Sequence, residues 1–193
     1  VNQYISRNEI IKNTELKKAT VANLVNELIQ ENLVLEAGKE VSTGGRRPSL
    51  LKLNKHAGYA LGIDIGVNYL RGVIVDLRGD VIYENLQKIK RTEFERYFEK
   101  ILLLIEDLQG HVPPSPYHII GIGIAVPGII DNSGILLHAP NLKWDNIDLI
   151  SMLAQHVSYP LYLSNEANAG AYAEFSFTQN KQYQHLLYAS IGI

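Results

Sequence analysis

Apolar residues recur at three- and four-residue spacing near the start of the chain, and this spacing predicts helices. From Lys18 to about Asn32 one face is apolar and is formed by Val21, Leu24, Val25, Leu28 and Ile29. Ahead of this stretch, Ser6 and Glu9 have the spacing of a capping box, in which each side chain bonds the other residue's backbone amide. We therefore predict a short helix over about residues 7–13 and a longer amphipathic helix after it.

Two strand-like runs follow the second helix and flank a loop of small and basic residues. The loop holds Ser42, Thr43, two glycines and the pair Arg46 and Arg47. Glycines let a backbone approach a partner closely, and arginines suit the negative potential of a narrow minor groove. The segment therefore predicts a wing, so the first part of the chain is interpreted as two helices and a hairpin.

The rest of the chain has the pattern of an α/β lobe. Residues 60–84 alternate apolar runs with turns and predict three hairpin-linked strands. An amphipathic helix is expected over about residues 93–108, with a core face of Phe94, Phe98, Ile101, Leu102, Ile105 and Leu108. A proline-rich turn at 113–116 then leads into a buried strand that starts near residue 119. The strands and helix together predict a mixed sheet.

Charge separates the two parts of the chain. Residues 1–56 hold nine Lys or Arg against six Glu, a net charge of +3, and the remaining residues hold nine against fourteen acidic residues, a net charge of −5. A basic segment joined to an acidic body favours contact with a polyanion. The polar face of the second helix carries side chains that can read base edges and meet phosphates in a major groove, namely Lys17, Lys18, Thr20, Asn23 and Asn26. A plain amphipathic helix without DNA contact is the alternative interpretation.

Composition removes several classes of protein. The 46% hydrophobic and 20% charged residues are typical of a globular chain. The sequence has no cysteine, and its six histidines lack the spacing of metal ligands, so no cofactor or metal is expected within this chain. It also has no apolar run of eighteen residues and no signal-peptide pattern at its start, so we expect a cytoplasmic protein without membrane contact.

Several short segments resemble one family, the ROK proteins (repressor, open reading frame, kinase). The matching segments are Thr43–Pro48, Asp64-Ile65-Gly66, Gly121–Gly128, Ala139–Trp144 and Ser164–Ala169. The resemblance implies a winged helix-turn-helix over residues 1–56 and an actin-like, ribonuclease-H-like sugar-kinase lobe over residues 57–193. In this family a capping Ser or Thr usually stands where the chain has Lys17.

The resemblance also implies a sugar site. Its polar contacts would be Asn141, Asn165 and Glu166, each inside a matching segment. Kinase members of the family place Asp at position 166 as the base that takes the proton from the attacking sugar hydroxyl. An extra methylene moves the carboxylate by an ångström or more, and such a shift costs on the order of a hundredfold in rate. Sugar binding without phosphotransfer is therefore expected.

A second implied feature is a vestigial phosphate turn at Asp64 and Gly66. Kinase members continue this turn with a second Gly and a Thr, which are Val67 and Asn68 here. A side chain next to the turn obstructs the close approach that glycine allows. We therefore expect the turn to have lost phosphate binding, with the obstruction coming from Val67.

The function implied by the resemblance is a sugar-responsive repressor of transcription. Asn165–Tyr172 is closest in appearance to xylose-responsive members, and the partners would be a palindromic DNA operator, a small sugar and a second copy of the chain in a homodimer. The alternatives are an ATP-dependent ROK sugar kinase, similar to a glucokinase, and a sugar-binding module without DNA contact. The wing, Val67 and Glu166 favour the repressor.

The resemblance further predicts what the chain lacks. A family winged helix usually has about three helices and only two fit before the wing, so the first helix is expected to be missing. Residues Tyr188–Ile193 are interpreted as the first strand of a second lobe, most of which would lie downstream. The family's Glu- and His-bearing sugar ligands, and its zinc-binding cysteine cluster where one exists, would lie there too.

Overall fold

The computed structural model describes residues 4–39, 49–90, 93–177 and 185–189. The chain divides into two compact units, Val1–Ala57 and Gly58–Ile193. None of the helices in the described ranges is both long and apolar enough to span a lipid bilayer.

In its described residues the first unit forms two helices and a small antiparallel sheet. Its elements are β1 (Ile5–Ser6), α1 (Arg7–Thr14), α2 (Lys18–Gln30), β2 (Val34–Lys39) and β3 (Ser49–Leu53). The strand order is β1-β3-β2. Both predicted helices are confirmed, although α2 ends at Gln30 instead of near Asn32 because the chain turns there into β2.

The predicted capping box starts α1. The Ser6 backbone N–H donates to Glu9 Oε2 at 2.7 Å, and the Glu9 N–H donates to Ser6 Oγ at 3.3 Å. The Ser6 backbone N–H and the Ser6 hydroxyl both donate to Glu9 Oε2, and these two hydrogen bonds lower the pKa of Glu9 because they stabilise its charged form. Helix α2, by contrast, has Lys17 at its N-cap position and no side-chain cap hydrogen bond. The difference follows from the residues at the cap positions, because the serine hydroxyl of Ser6 can accept a backbone N–H and the side chain of Lys17 cannot.

The buried face of α2 is narrower than the sequence pattern predicts. Val21 and Val25 are buried with Leu51 of β3, and Ile29 packs against them. Leu24 and Leu28, which we expected on the same face, are 45% and 38% exposed. The small sheet and α1 cover only the stripe of residues four apart, so the residues beside it stay at the surface of the unit.

The strands on both sides of the expected wing are confirmed. β2 and β3 pair antiparallel, with Val34 opposite Leu53, and the register shifts between Glu36 and Lys39. The loop between the strands, with the segment Thr43–Pro48, lies outside the described residues.

The second unit is built on a five-stranded mixed sheet in the order β11-β7-β4-β5-β6. The strands β4, β5 and β6 pair antiparallel as the three predicted hairpin-linked strands, and β7 and β11 run parallel to β4. The elements of this sheet, with its helix α3, are β4 (Tyr59–Ile65), β5 (Tyr69–Asp76), β6 (Val81–Lys88), α3 (Phe94–His111), β7 (Ile119–Val126) and β11 (Leu161–Asn165).

The described residues of this unit also form a second, three-stranded antiparallel sheet and two further helices. They are β8 (Ile129–Ile130), β9 (Leu136–Ala139), β10 (Trp144–Ile147), α4 (Leu149–Ala154) and α5 (Glu166–Phe177). The expected strand at Tyr188–Ile193 is not seen in Tyr188 and Ala189, which form no strand, and its other residues lie outside the described ranges.

Helix α3 packs its apolar face on the core of the large sheet. The predicted face is confirmed for Ile101, Ile105 and Leu108, which are almost fully buried. Its predicted members Phe94, Phe98 and Leu102 are only partly buried, because Tyr97 and Leu104 take the centre of the face. The face of α3 that packs on the sheet is therefore rotated slightly about the helix axis from the predicted face.

Candidate functional site

Three segments meet at one edge of the large sheet because their strands are parallel. Asp64 near the end of β4 lies beside Ala125 of β7, and Val126 at the end of β7 lies beside Asn165 of β11. The carboxyl ends of parallel strands are where α/β folds commonly place ligands. The fold therefore brings together Asp64, the loop after β7 and the start of α5.

Asn165 connects this edge to the first turn of α5. Its Nδ2 donates to Gly128 O at 3.0 Å and to Glu166 Oε2 at 2.8 Å. Its Oδ1 accepts from the backbone N–H groups of Ala167 at 2.9 Å and Asn168 at 3.2 Å, the pattern of an N-cap. Both amide hydrogens and both lone pairs are thus engaged. Asn165 orients Glu166 and anchors the loop that holds Gly128.

Gly128 is a position where only glycine fits. Its φ is +150°, and an added Cβ would lie 2.7 Å from His138 O and 3.0 Å from Ala139 Cβ. The loop after β7 is therefore pressed directly against β9, which leads into the turn that holds Asn141. This turn joins β9 to β10, and Asn141 is exposed in it.

A hydrogen bond from the Gly66 N–H to Tyr69 O at 3.0 Å closes the turn after β4. Val67 packs against the hydrophobic core and Asn68 is exposed. The Tyr69 ring covers Gly66, because a Cβ added at Gly66 would collide with its Cε1 atom and lie 2.5 Å from its Cδ1 atom. The obstruction expected from Val67 stays a prediction, and Tyr69 adds a contact that the sequence did not predict.

Tyr69 also bonds the aspartate of the turn. Its hydroxyl donates to Asp64 Oδ2 at 3.0 Å. Burial, this hydrogen bond and the charges of Asp64 and Glu166 raise the pKa of Tyr69 to about 12. The hydroxyl is therefore protonated at neutral pH and lies within electrostatic reach of both carboxylates. No pattern in the sequence singled out this residue.

Tyr97 of α3 fixes the backbone of the same turn. Its buried hydroxyl lies 2.7 Å from Gly66 O and 2.8 Å from Tyr69 O, so it can donate to either carbonyl. Burial above all raises its pKa, which keeps the hydroxyl a donor. Its ring also meets Trp144 edge-on, with centroids 5.2 Å apart. A tyrosine on an apolar helix face needs a polar partner, and this signal was available in the sequence.

The remaining expected residues lie elsewhere. Lys17, Lys18, Thr20 and Asn23 are all exposed at the start of α2 in the first unit. Asn26 accepts a hydrogen bond from Arg7 Nη2 at 3.2 Å. Arg46 and Arg47 lie outside the described residues. The described part of the chain contains no group of three His, Cys, Asp or Glu residues placed to hold a metal ion.

The mixed sheet has the architecture of a sugar-kinase-like fold, and the carboxyl ends of its parallel strands are where such folds commonly bind ligands. Comparison with known proteins identifies the family. Residues 60–193 match the ROK family. The chain belongs to the ROK family. It is 45% identical over 194 residues to the xylose repressor of Caldicellulosiruptor bescii, covering 100% of this chain and 49% of that protein.

Two further comparisons agree. The chain is 42% identical over 191 residues to the xylose repressor of Bacillus spizizenii, covering 99% of this chain and 50% of that protein. It superimposes on a crystal structure of a ROK family transcriptional regulator, a homologue of the Escherichia coli MLC protein, with a TM-score of 0.69 and 25% identity. That match covers 90% of this chain and 44% of the other. The chain thus spans about half the length of the curated relatives it matches.

Proposed function

We propose that the chain is part of a sugar-responsive, cytoplasmic repressor of transcription that binds xylose without phosphorylating it. One observation carries the proposal. The similarity to xylose repressors extends over both units, whereas the ROK family match begins at residue 60. The ROK family match leaves the first unit unexplained, so this unit calls for a separate function, and contact with an operator supplies one.

The first unit supports DNA contact by its chemistry. Lys17, Lys18, Thr20 and Asn23 are exposed at the amino-terminal end of α2, the end that reads base edges when such a helix enters a major groove. The unit is also the basic part of the chain. Arg46 and Arg47, between β2 and β3, would add phosphate or minor-groove contacts. Two copies in a homodimer would read a palindromic operator.

The second unit supports sugar contact through Glu166. Its carboxylate lies in the first turn of α5, where the helix dipole favours negative charge, and Asn165 orients it. A carboxylate accepts hydrogen bonds from sugar hydroxyls and strengthens them by its charge. Asn165 would act mainly by positioning Glu166, because its own hydrogen-bonding groups are engaged. Asn141 would reach the sugar from the exposed turn between β9 and β10.

Xylose would control binding to the operator by thermodynamic linkage. A sugar that favours one arrangement of the protein weakens operator binding if the operator favours another. The coupling is reciprocal, so the operator must weaken sugar binding by the same factor. Glu166 and α2 lie in different units, and the control would therefore depend on how the units are arranged in the two states.

The proposal predicts that the complete gene product does not phosphorylate sugars. With ATP, magnesium and either xylose or glucose, we expect turnover at background level, because Glu166 replaces the family's aspartate base. Glu166→Asp alone should not create an efficient kinase, because Tyr69 remains over Gly66. Coupled detection of ADP measures turnover, and a gel-shift assay with the gene's own upstream DNA is run on the same preparation. Robust turnover by the unmodified protein would instead support the kinase.

A further inference from the structure

We propose that Tyr69 closes the turn after β4 to the phosphates of a magnesium nucleotide. This inference rests on the proposed function, in which the chain keeps a kinase-like fold but does not catalyse phosphotransfer to a sugar. In kinase members of the family the turn approaches nucleotide phosphates. The residues present here do not fit such a group, and the misfit can be located at a single side chain.

The first argument is steric. A phosphate approaches a turn of this kind closely only where glycine leaves the backbone bare. At Gly66 the space beside the backbone is filled by the Tyr69 ring, whose Cδ1 and Cζ atoms lie 2.5 and 2.6 Å from the place a Cβ would take, with Cε1 nearer still. The glycine is thus in contact with a ring of its own chain. A phosphate oxygen and the ring cannot occupy this position together.

The second argument concerns the carboxylate. The Tyr69 hydroxyl donates to Asp64 Oδ2 at 3.0 Å. An aspartate that acts on nucleotide phosphates through magnesium and water needs its oxygens available to cation and water. In this chain one oxygen is taken by a protonated phenol. The same side chain therefore blocks both the glycine and the aspartate of the turn.

The third argument is that the backbone of the turn is held in place. The Tyr97 hydroxyl lies within hydrogen-bond distance of both Gly66 O and Tyr69 O, and Tyr97 itself is 2% exposed. Val67, which lies between Gly66 and Tyr69 in the sequence, is partly buried and packs against the core. The turn thus cannot shift as a whole to admit a phosphate. Only rotation of the Tyr69 side chain would open it, and that rotation breaks the bond to Asp64.

The consequence is tested by nucleotide binding to three forms of the complete gene product. Isothermal calorimetry with MgATP compares wild type, Tyr69→Phe and Tyr69→Ala. We expect Tyr69→Ala to bind MgATP more tightly than wild type by on the order of tenfold or more. Tyr69→Phe should gain much less than Tyr69→Ala, because it frees Asp64 Oδ2 but keeps the ring over Gly66. Equal affinity of wild type and Tyr69→Ala would overturn the inference, and so would a gain in Tyr69→Phe as large as in Tyr69→Ala.

A second measurement checks the contact itself without any nucleotide. Gly66→Ala should lower the urea midpoint of unfolding in the wild-type background, since the new methyl group collides with the ring. In the Tyr69→Ala background the same change should cost much less, because the ring is gone. Far-ultraviolet circular dichroism of the complete gene product follows the unfolding. Equal costs in the two backgrounds would show that the ring does not rest on Gly66 and would overturn the inference.

The proposed repressor function and the closure of the turn by Tyr69 can be contradicted independently. Xylose and operator binding are measured on the same wild-type preparation. Absence of a xylose response in the wild type would remove the proposed function but leave the comparison of nucleotide affinities intact. Tight MgATP binding by wild type together with a normal xylose response would remove only the closure by Tyr69.

Discussion

Replacing Arg46 and Arg47 together with alanine is expected to weaken operator binding and to flatten its salt dependence. Each lysine or arginine that neutralises a DNA phosphate releases a counterion, which contributes roughly 0.9 to the slope of log affinity against log salt concentration. Loss of two such contacts lowers the slope by nearly two. The measurement is a fluorescence-anisotropy titration of labelled operator with the complete gene product at several salt concentrations.

A charge-matched control distinguishes contact from net charge. Arg96 and Lys100 are exposed on α3 of the second unit, and their double alanine variant removes the same two charges. We expect it to leave the salt slope near the wild-type value, because neither residue belongs to the unit that we propose contacts DNA. If the Arg46 and Arg47 variant matches this control in slope and affinity, the segment between β2 and β3 does not contact DNA.

Glu166→Gln is expected to lower xylose affinity without disturbing the fold. The amide that replaces the carboxylate retains an oxygen that can accept from Asn165 Nδ2, as Glu166 Oε2 does at 2.8 Å. The change removes the charge that strengthens a hydrogen bond from a sugar hydroxyl. Hydrogen bonds to charged groups contribute about 1.5–3 kcal/mol, so the dissociation constant should rise by roughly tenfold to a hundredfold. Isothermal calorimetry with xylose on the complete gene product measures it.

The control for this variant is Glu99→Gln, which removes an exposed carboxylate from α3 at a distance in sequence from every candidate sugar contact. It should bind xylose as the wild type does. Unchanged affinity in Glu166→Gln would mean that Glu166 faces away from the sugar, and the family correspondence would then fail at its most informative position.

Much of the fold could be predicted because it follows from local rules. The Ser6 and Glu9 spacing located the start of α1, since a capping box involves only neighbouring residues. Alternating runs and turns located β4, β5 and β6. The exposure of Leu24 and Leu28 could not be predicted, because it depends on how much of α2 the small sheet and α1 cover.

The candidate site was predicted less completely, for a related reason. Motif order located Asp64, Gly66 and Glu166, but which side chain faces Gly66 depends on the path of one turn. Val67 is the neighbour in sequence and packs against the core, whereas Tyr69 folds back over the glycine.

Asn165 and Tyr97 illustrate the second limit on prediction. The polarity of Asn165 suggested a direct sugar contact, whereas its amide is engaged with Gly128, Glu166 and the first turn of α5. Tyr97 was not among the residues predicted for the core face of α3, and its hydroxyl supports the turn after β4. Hydrogen bonds between residues far apart in sequence decide both roles, and no spacing rule anticipates them.

The most direct test of the account is the affinity of the complete gene product for its operator as xylose is added. We predict that operator affinity falls as xylose rises and levels off at saturation. By reciprocity, operator DNA must then weaken xylose binding by the same factor. Glucose at equal concentration should have a smaller effect, and Glu166→Gln should shift the xylose response to higher concentration. Operator affinity that does not change at saturating xylose would contradict the central claim.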